Sequence, residues 1–334
     1  FQSSDDTYIV DYDTAGQAIN LVYSGATVGW TPSSDIVNAL EPTAPVTQKG
    51  IFGYGLTGSN VSMTNLVNSS GVIASDVTGV GTARYGLSAA GYGGDKAIFG
   101  YGYSGSYTAI TNLVSNSGVV ASDTTGVGTV RADLASASYG GDKAIFGYGS
   151  TGSNSSLTNL VSNSGVVSAD VTGVGTARYQ LASTEYGTDK AIFGYGYTGS
   201  NVSMTNLVSN SGVVSADVTG VGTARRNLAA TTYGSSGQAI FGYGENGGFS
   251  SITNLVSSSG VVSSDVTGVG TARSGLRATR YGGDKAIFAY GVVSGFTKVS
   301  MSNLVNSSGV VASDVTGVGT ARQSSAAAGF SYAA

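Results

Sequence analysis

The sequence predicts an all-β fold, a six-bladed β-propeller of four-stranded repeats, and three observations lead to this prediction. A motif of about 47 residues recurs six times in the 334-residue chain, and periods of roughly 40 to 50 residues are typical of propeller blades. The 53 glycines accompany many valine, isoleucine, threonine and tyrosine residues, a composition that favours strands. No segment spaces its apolar residues as a helix does, so little helix is expected.

Two landmarks of nearly constant spacing mark the repeat. One is the phenylalanine of IFGYG, which is written IFAYG in the last copy, and the other is the arginine of GTAR, once GTVR. The phenylalanines are Phe52, Phe99, Phe146, Phe193, Phe241 and Phe288. The arginines are Arg84, Arg131, Arg178, Arg225, Arg273 and Arg322.

Each repeat divides into four strand-like pieces, which the fifth copy illustrates. Residues 226–233, RNLAATTY, are short and small, as expected for an inner strand at the crowded centre of a propeller. Residues 238–244, QAIFGYG, form a compact apolar run, as a strand covered on both faces requires. The pieces SITNLVS and GVVSSDV flank SSSG, a tight-turn composition, and are expected to form the two outer strands.

The C-terminus is expected to close the ring. The last repeat ends with ARQSSAAAGFSYAA, an inner-strand pattern with no aromatic strand after it, whereas the first IFGYG has no inner strand just before it. The last strand therefore completes the first blade, and closure hides sheet edges that otherwise promote aggregation. A linear solenoid is the alternative architecture, but it requires capping repeats and none is recognisable.

Residues 1–46 do not repeat and are predicted to form an N-terminal hairpin arm and linker, leaving residues 47–334 for the propeller. This segment holds all three prolines and the only tryptophan, Trp30. The pieces TYIVDY and AINLVYSG read as two strands around the turn DTAG, and SSDIVNAL reads as a short helical turn within the linker. The arm either packs on the propeller or docks it onto a larger assembly.

Composition excludes several function classes. Only 10% of residues are charged and the net charge is -4 with no basic run, so no nucleic-acid partner is expected. The chain has no histidine and no cysteine, which removes the usual general base and the commonest transition-metal ligands. No apolar run reaches the roughly 18 residues that a membrane span needs. We therefore expect no metal, no cofactor and no membrane insertion.

Comparison of the six copies indicates a candidate binding face. The loops between the second and third strands vary, as do the residues after the repeated arginine, whereas the turns YGGDK and SNSG are more uniform. In a four-stranded blade both variable sites lie at the same end, and aromatic side chains offer large, stiff contact areas. The alternative is neutral drift in surface loops. The predicted contacts are Tyr103, Tyr107, Tyr179, Tyr197, Arg226, Phe249 and Phe296.

Two repeated charged series are expected to be structural. Each repeat offers one aspartate in DVTG or DTTG (Asp76, Asp123, Asp170, Asp217, Asp265, Asp314), whereas calcium needs about six clustered oxygens; turn capping is favoured. The repeated arginines are expected to hydrogen-bond between blades. A catalytic site should break the repeat, but the distinctive polar residues Glu185, Glu245, Arg226, Arg277 and Arg280 make no recognisable constellation. No catalytic residue is predicted.

The repeat ARYGLSAAGYGGDKAIFGYG resembles Kelch-like propeller repeats, in which an inner strand leads to an aromatic strand with paired glycines. Here the pair is split as Gly-Tyr-Gly, and the tryptophan of the fourth Kelch strand is absent, so the resemblance is to a divergent variant. The near-identical copies, together with LVYSGATVGWTP, also resemble structural proteins of tailed phages of marine cyanobacteria. This resemblance covers nearly the whole chain.

The resemblance implies a virion protein on the surface of an extracellular particle, and the lack of a recognisable catalytic constellation predicts that it is not an enzyme. One reading is a tail, neck or fibre appendage whose propeller recognises a host-surface glycan or protein, with residues 1–46 contacting other virion proteins. A second reading is a purely architectural capsid or neck decoration. A third, less favoured reading is a glycan-cleaving propeller enzyme.

Overall fold

The structure is a computed structural model that describes residues 21–23, 30–32 and 49–331. The chain groups into two compact units, Phe1–Pro45 and Val46–Ala334. Every regular element of the described residues is a strand, apart from one 3-10 turn at Ser294–Phe296. None of the helical structure in these residues is long and apolar enough to cross a membrane.

The described part of the first unit is a short antiparallel hairpin. Strand β1 (Leu21–Tyr23) pairs with β2 (Trp30–Pro32), with Tyr23 opposite Trp30. β1 lies inside the predicted strand AINLVYSG, but β2 falls at the start of the predicted linker. Pro32 is tolerated there because it ends its strand, where a missing N–H costs little. The predicted strand TYIVDY, its turn and the helical turn in SSDIVNAL lie outside the described residues.

The second unit contains six antiparallel sheets of three strands each, which we number I to VI. In each sheet the strands are given from first to third. Sheet I contains β22 (Ala326–Phe330), β3 (Lys49–Leu56) and β4 (Asn60–Val67); sheet II contains β5 (Ser88–Tyr92), β6 (Lys96–Tyr103) and β7 (Tyr107–Val114); and sheet III contains β8 (Ala135–Tyr139), β9 (Lys143–Gly147) and β10 (Thr158–Val161). Sheet IV contains β11 (Ala182–Tyr186), β12 (Lys190–Gly194) and β13 (Thr205–Val208); sheet V contains β14 (Ala229–Tyr233), β15 (Gln238–Glu245) and β16 (Phe249–Val256); and sheet VI contains β17 (Arg277–Tyr281), β18 (Lys285–Ala289) and β21 (Ser302–Val305). A two-stranded ribbon, β19 (Val292–Val293) with β20 (Thr297–Lys298), extends sheet VI.

The second strands form the core, as their apolar sequence predicts. The Ile and Phe of each AIF or GIF segment and the following Tyr are fully buried. Each Tyr packs against the Phe of the next sheet, as Tyr195 does with Phe241 at a ring-centroid distance of 5.1 Å. The series continues through Tyr243 with Phe288 and ends with Tyr290 packing on Phe52 of sheet I. The hydrophobic core therefore lies between neighbouring sheets.

The fourth strand of each predicted blade is a correction to the sequence prediction. The segment after each third strand makes isolated bridges instead of a continuous ladder; in the first repeat these are Val67 with Ile73 and Thr64 with Val77. Glycines at left-handed φ bound the segment, Gly71 at 80° at its start and Gly81 at 75° after its end. The described sheets are thus three-stranded with an irregular outer edge.

The predicted pairing of the C-terminal strand with the first repeat is confirmed, because β22 pairs with β3 along its whole length. The first strands also contact one another in the order β22, β5, β8, β11, β14, β17, and β17 contacts β22. They line a cavity of about 40 Å³ to which all six contribute. Their side chains are mainly alanine, serine and threonine, as predicted for the inner strands.

The residue two positions before each first strand takes part in a closed series of backbone hydrogen bonds. Each N–H donates to the carbonyl of the equivalent residue in the preceding sheet over 2.7–3.0 Å, and Gly86 donates to Ser324. All six residues have left-handed φ values between 51° and 63°, a region that favours Gly, Asn and Asp. The six are Gly86, Asp133, Gln180, Asn227, Gly275 and Ser324.

Candidate functional site

The predicted binding face is assembled from pairs of variable residues. In each sheet the residue after the buried arginine bridges to a residue just after or at the end of the second strand. These six pairs, with the loops that follow them, form what we call the variable face. The pairs are Gln323–Leu56, Tyr85–Tyr103, Ala132–Ser150, Tyr179–Tyr197, Arg226–Glu245 and Ser274–Val292.

Sheet II contributes three tyrosines to the variable face. The ring centroids of Tyr85 and Tyr103 are 5.6 Å apart, and those of Tyr103 and Tyr107 are 5.4 Å apart with nearly perpendicular planes. Burial raises the pKa of the Tyr85 hydroxyl, and the carboxylate of Asp133 adds to the effect. Asn60 of sheet I donates a hydrogen bond to the Tyr103 carbonyl (3.3 Å). The group is partly buried and offers aromatic area together with hydroxyl groups.

Sheets IV and V form a second group around Arg226. Its guanidinium carbon lies 4.5 Å from the centre of the Tyr197 ring, a cation–π geometry. Its Nε donates to Glu245 Oε1 over 2.6 Å, and Ser274 Oγ of sheet VI donates to Glu245 Oε2 over 3.2 Å. Tyr179 packs edge-on against Tyr197. The positive charge of Arg226 is therefore already matched by a carboxylate on the face.

Phe249 and Phe296 form a third group. Their ring centroids are 6.3 Å apart at an angle of 80°. Phe296 is 81% exposed, the highest exposure among the large apolar residues of the described chain. It also has a left-handed φ of 56°, which is rare for a bulky side chain. Strained backbone positions cluster at functional sites, which makes Phe296 a candidate contact residue.

The seven predicted contact residues thus lie in three groups and not in one cluster. Sheet III separates two of them with the small pair Ala132 and Ser150. Sequence reasoning did not include Tyr85 and Ser274 among the contacts, although both stand directly after a repeated arginine, the position already recognised as variable. Glu245 was noted for breaking the repeat, but its pairing with Arg226 was not predicted.

The aspartate series links consecutive repeats. Asp217 accepts hydrogen bonds from the backbone N–H of Thr176 (3.0 and 3.1 Å to its two oxygens), from the Thr176 hydroxyl (2.6 Å) and from Asn206 (2.9 Å). Burial opposes its ionisation, but these bonds outweigh that effect and lower its pKa. The same bonds recur in all six repeats, and in the first repeat Asp76 accepts the hydrogen bond of the Thr320 hydroxyl. The capped turn therefore belongs to the neighbouring repeat.

The arginine series is fully buried, but its side-chain hydrogen bonds lie within one sheet and not between blades as the sequence predicted. Arg178 donates to the Tyr195 carbonyl (2.9 Å), the Thr176 carbonyl (3.0 Å) and Asn206 Oδ1 (2.7 Å). Its guanidinium carbon lies 4.4 Å from the centre of the Tyr148 ring of the preceding sheet. Burial lowers its pKa, partly offset by Tyr148 and Asp217. The partners that the sequence did not reveal are the buried Asn of each third strand and this Tyr.

Two oppositely charged pairs lie among the first strands, a feature that sequence reasoning missed. Arg280 NH1 lies 3.9 Å from Glu185 Oε2 although their strands are not adjacent in the sheet order. Burial raises the pKa of Glu185 to about 7, with Arg280 opposing the rise. Burial also raises the pKa of Asp133, which lies two residues before β8, to about 6, and the charge of Arg277 opposes this rise. Only the topology brings these residues of different repeats together, which is why spacing did not predict them.

The chemistry available at the variable face is contact chemistry. In the part of the chain that the structure describes, no group of three carboxylate, histidine or cysteine side chains is placed to hold a metal ion. The face offers aromatic edges and faces, hydroxyls and a neutralised Arg–Glu pair. Such groups suit stacking and hydrogen bonding to a sugar or a protein surface.

Comparison with known proteins adds no family assignment. No protein-family model matches the chain, and none of the curated proteins matches it significantly.

Proposed function

We propose that the six sheets form one closed six-bladed β-propeller. Four observations support it: the circular order of first-strand contacts, the closed series of backbone hydrogen bonds, the Tyr–Phe series that ends on Phe52, and the Asp–Thr series that ends on Asp76. Single-particle electron microscopy of the chain tests this proposal. Six lobes around a central axis are expected, and an open arc or a different lobe number would overturn it.

We propose that this propeller is a non-enzymatic recognition module of a phage particle, a tail, neck or fibre appendage that contacts a host-surface glycan or protein. Residues 1–46 attach it to other virion proteins. The observation that carries the proposal is the concentration of aromatic side chains on the variable face, above all the exposed and strained Phe296. The phage assignment follows the resemblance of the repeat.

An enzymatic role has weaker support. The repeated Tyr and Arg side chains are buried and bonded to their own architecture. The charged residues that break the repeat are divided between the Arg226–Glu245 pair on the variable face and the pairs among the first strands. Neither arrangement presents two free carboxylates across an open cleft, as glycoside hydrolysis ordinarily requires. Turnover of a host polysaccharide by the isolated protein would nevertheless revive the glycan-cleaving alternative.

Binding of the isolated chain to host envelopes and to purified envelope glycans tests the recognition proposal. The variants Tyr103→Ala, Tyr197→Ala and Phe296→Ala each remove one aromatic group from the variable face. We expect at least one of them to weaken binding roughly tenfold or more, since contact aromatics often contribute about 2 kcal/mol. Ser150→Ala in the small pair of sheet III is the matched control. Equal binding by all four variants would overturn the proposal.

One observation favours the purely architectural alternative, a capsid or neck decoration. Every repeat exposes a valine in the turn after its third strand, 60–66% exposed in each copy. Repeated exposed apolar side chains are typical of protein contact surfaces. In a map of the native particle, burial of this valine set with the variable face also covered would favour scaffolding, whereas an outward variable face favours recognition. The valines are Val72, Val119, Val166, Val213, Val261 and Val310.

A further inference from the structure

The turn after the second strand has the same backbone hydrogen bond in five sheets, but its sequence in sheet V is unusual. In sheets I to V the first turn residue donates its N–H to the carbonyl two residues later over 3.0 Å. Four copies read Thr-Gly or Ser-Gly, and sheet V reads Asn246-Gly247, the only Asn-Gly pair among the 334 residues. All three threonines also donate their hydroxyls to that carbonyl, as Thr198 does. Asn246 occupies the position at which these threonine hydroxyls are hydrogen-bonded.

Both reacting groups for an intramolecular attack are free in this turn. Within residues 49–331, neither the Asn246 side chain nor the Gly247 N–H makes a hydrogen bond. Asn246, Gly247 and Gly248 are exposed, and no atom lies within 4 Å of the position that a Cβ on Gly247 would take. Glycine at the second position also leaves the backbone free to bring its nitrogen to the side chain.

The other exposed asparagines within residues 49–331 are protected by comparison. In the SNSG turns the side-chain amides of Asn116, Asn163 and Asn210 donate to Asp95, Asp142 and Asp189. Asn154 is followed by Ser155, whose N–H donates to the Gly149 carbonyl over 2.9 Å. In each case the side chain or the neighbouring nitrogen is already engaged. Asparagine is among the chemically labile residues, and only Asn246 combines a free side chain with a free glycine nitrogen.

We propose that Asn246 is a site of spontaneous deamidation. The Gly247 nitrogen attacks Asn246 Cγ, the N–Cγ bond forms, the Cγ–Nδ2 bond breaks, and ammonia leaves with the amide proton. Water then opens the cyclic succinimide to aspartate or isoaspartate. Each conversion adds one negative charge to a chain of net charge -4. The new carboxylate lies beside Glu245, so the reaction changes the variable face irreversibly as the protein ages.

Incubation of the folded chain at mildly alkaline pH, followed by peptide mass spectrometry and anion-exchange chromatography, tests this proposal. We expect the peptide containing Asn246 to gain the mass of amide-to-acid conversion, to release ammonia and to yield an isoaspartate product. Other asparagine-containing peptides from residues 49–331 should remain unchanged over the same time. Asn246→Thr, which copies the turn of sheet IV, should abolish the acidic species.

Placing an Asn-Gly pair in a second turn of the same geometry tests whether the turn geometry permits deamidation. Thr198→Asn places the same pair before Gly199 in the equivalent turn of sheet IV, where the Cβ space is also open. This variant is expected to deamidate at both turns at comparable rates. Circular dichroism confirms that each variant is folded. The proposal is overturned if the folded wild-type chain stays unmodified while a peptide of the same sequence converts, because the turn then protects Asn246.

Discussion

At the scale of single residues, the buried arginines join one sheet to the next. Each donates to the carbonyl of the threonine two residues before it and to the buried asparagine of its own sheet, and stacks on a tyrosine of the preceding sheet. A buried charge is tolerated only when its hydrogen-bonding groups are paired. The repeat therefore needs the Arg, Asn and Tyr together, which explains why the three vary so little between copies.

Replacing Arg178 with Met should lower the free energy of unfolding by about 1–3 kcal/mol for each buried acceptor that loses its donor, and these acceptors are the Tyr195 carbonyl and Asn206 Oδ1. Equilibrium denaturation in urea measures the loss. Lys190→Ala is the control, since its exposed pair with Asp189 is solvent-screened, and no measurable loss is expected there. Equal stability of the two variants would contradict the assigned role of Arg178.

The glycine of each DVTG or DTTG turn offers a second test at this scale. A Cβ on Gly220 would lie 2.5 Å from the backbone carbon of Ser203 and 2.8 Å from the backbone nitrogen of Met204. Gly220→Ala should therefore destabilise the protein by about 1–3 kcal/mol, the usual cost of overpacking. Gly58→Ala meets no atom within 4 Å and should be nearly neutral. A shift of the thermal midpoint in the control alone would refute this reading.

At the scale of elements, the irregular outer segment replaces a fourth strand. Its regular hydrogen bonds are few, but its aspartate binds a threonine of the neighbouring segment. The outer edge of one sheet is thus fastened to the next by side chains, not by a ladder. This use of the side chains leaves the valines of the segment exposed.

A double-mutant cycle measures this fastening. Thr176→Val and Asp217→Asn should each reduce stability, and the double variant should lose less than the sum of the two. We expect a coupling energy of about 0.5–3 kcal/mol, as found for residues in one hydrogen-bond network. The same cycle applied to Thr198 and Asp217, which share no bond, should give additive losses. Additivity in the first pair would show that the bond contributes nothing.

Sequence patterns predicted these elements unequally. The small first strands, the apolar second strands and the pairing of the C-terminal strand were predictable, because composition and period determine which pieces are buried. The absence of a regular fourth strand was not predictable, since the valines of that segment favour a strand although it makes only single bridges to the third strand. The partner of β1 was also missed because three-residue strands carry almost no pattern.

At the scale of the whole molecule, residues from distant repeats meet among the first strands. Glu185 and Arg280 approach within 3.9 Å, and the charge of Arg277 acts to lower the pKa of Asp133. In the sequence these residues can be recognised only as positions that differ between the repeats. Their meeting depends on the order of the sheets, so periodicity alone does not predict the pairing.

These groups predict an unusual dependence of stability on pH. The folded pKa values of Glu185 and Asp133 are raised to about 7 and about 6, above the unfolded values near 4. Between those limits the folded chain holds protons that the unfolded chain has released, so stability falls as pH rises. The six linking aspartates have lowered pKa values, and their contribution is lost as pH falls below about 4. Maximum stability is expected near pH 5.

Denaturation curves across this pH range provide the test. Glu185→Gln should flatten the decline of stability between about pH 5 and 7 while leaving the acid limb unchanged. Asp217→Asn should instead weaken the acid limb. Stability that rises steadily from pH 5 to 7 in the wild-type chain would contradict the assignment of Glu185 and Asp133.

The pairing of β22 with β3 has a mechanical consequence. The two strands run antiparallel, with Phe330 opposite Lys49 and Ala326 opposite Gly53, so the end of one lies beside the start of the other. A tensile load applied between residues 49 and 330 therefore peels their hydrogen bonds one at a time and does not shear them together. The ladder between β22 and β3 is therefore expected to open at low force when residues 49 and 330 are pulled apart.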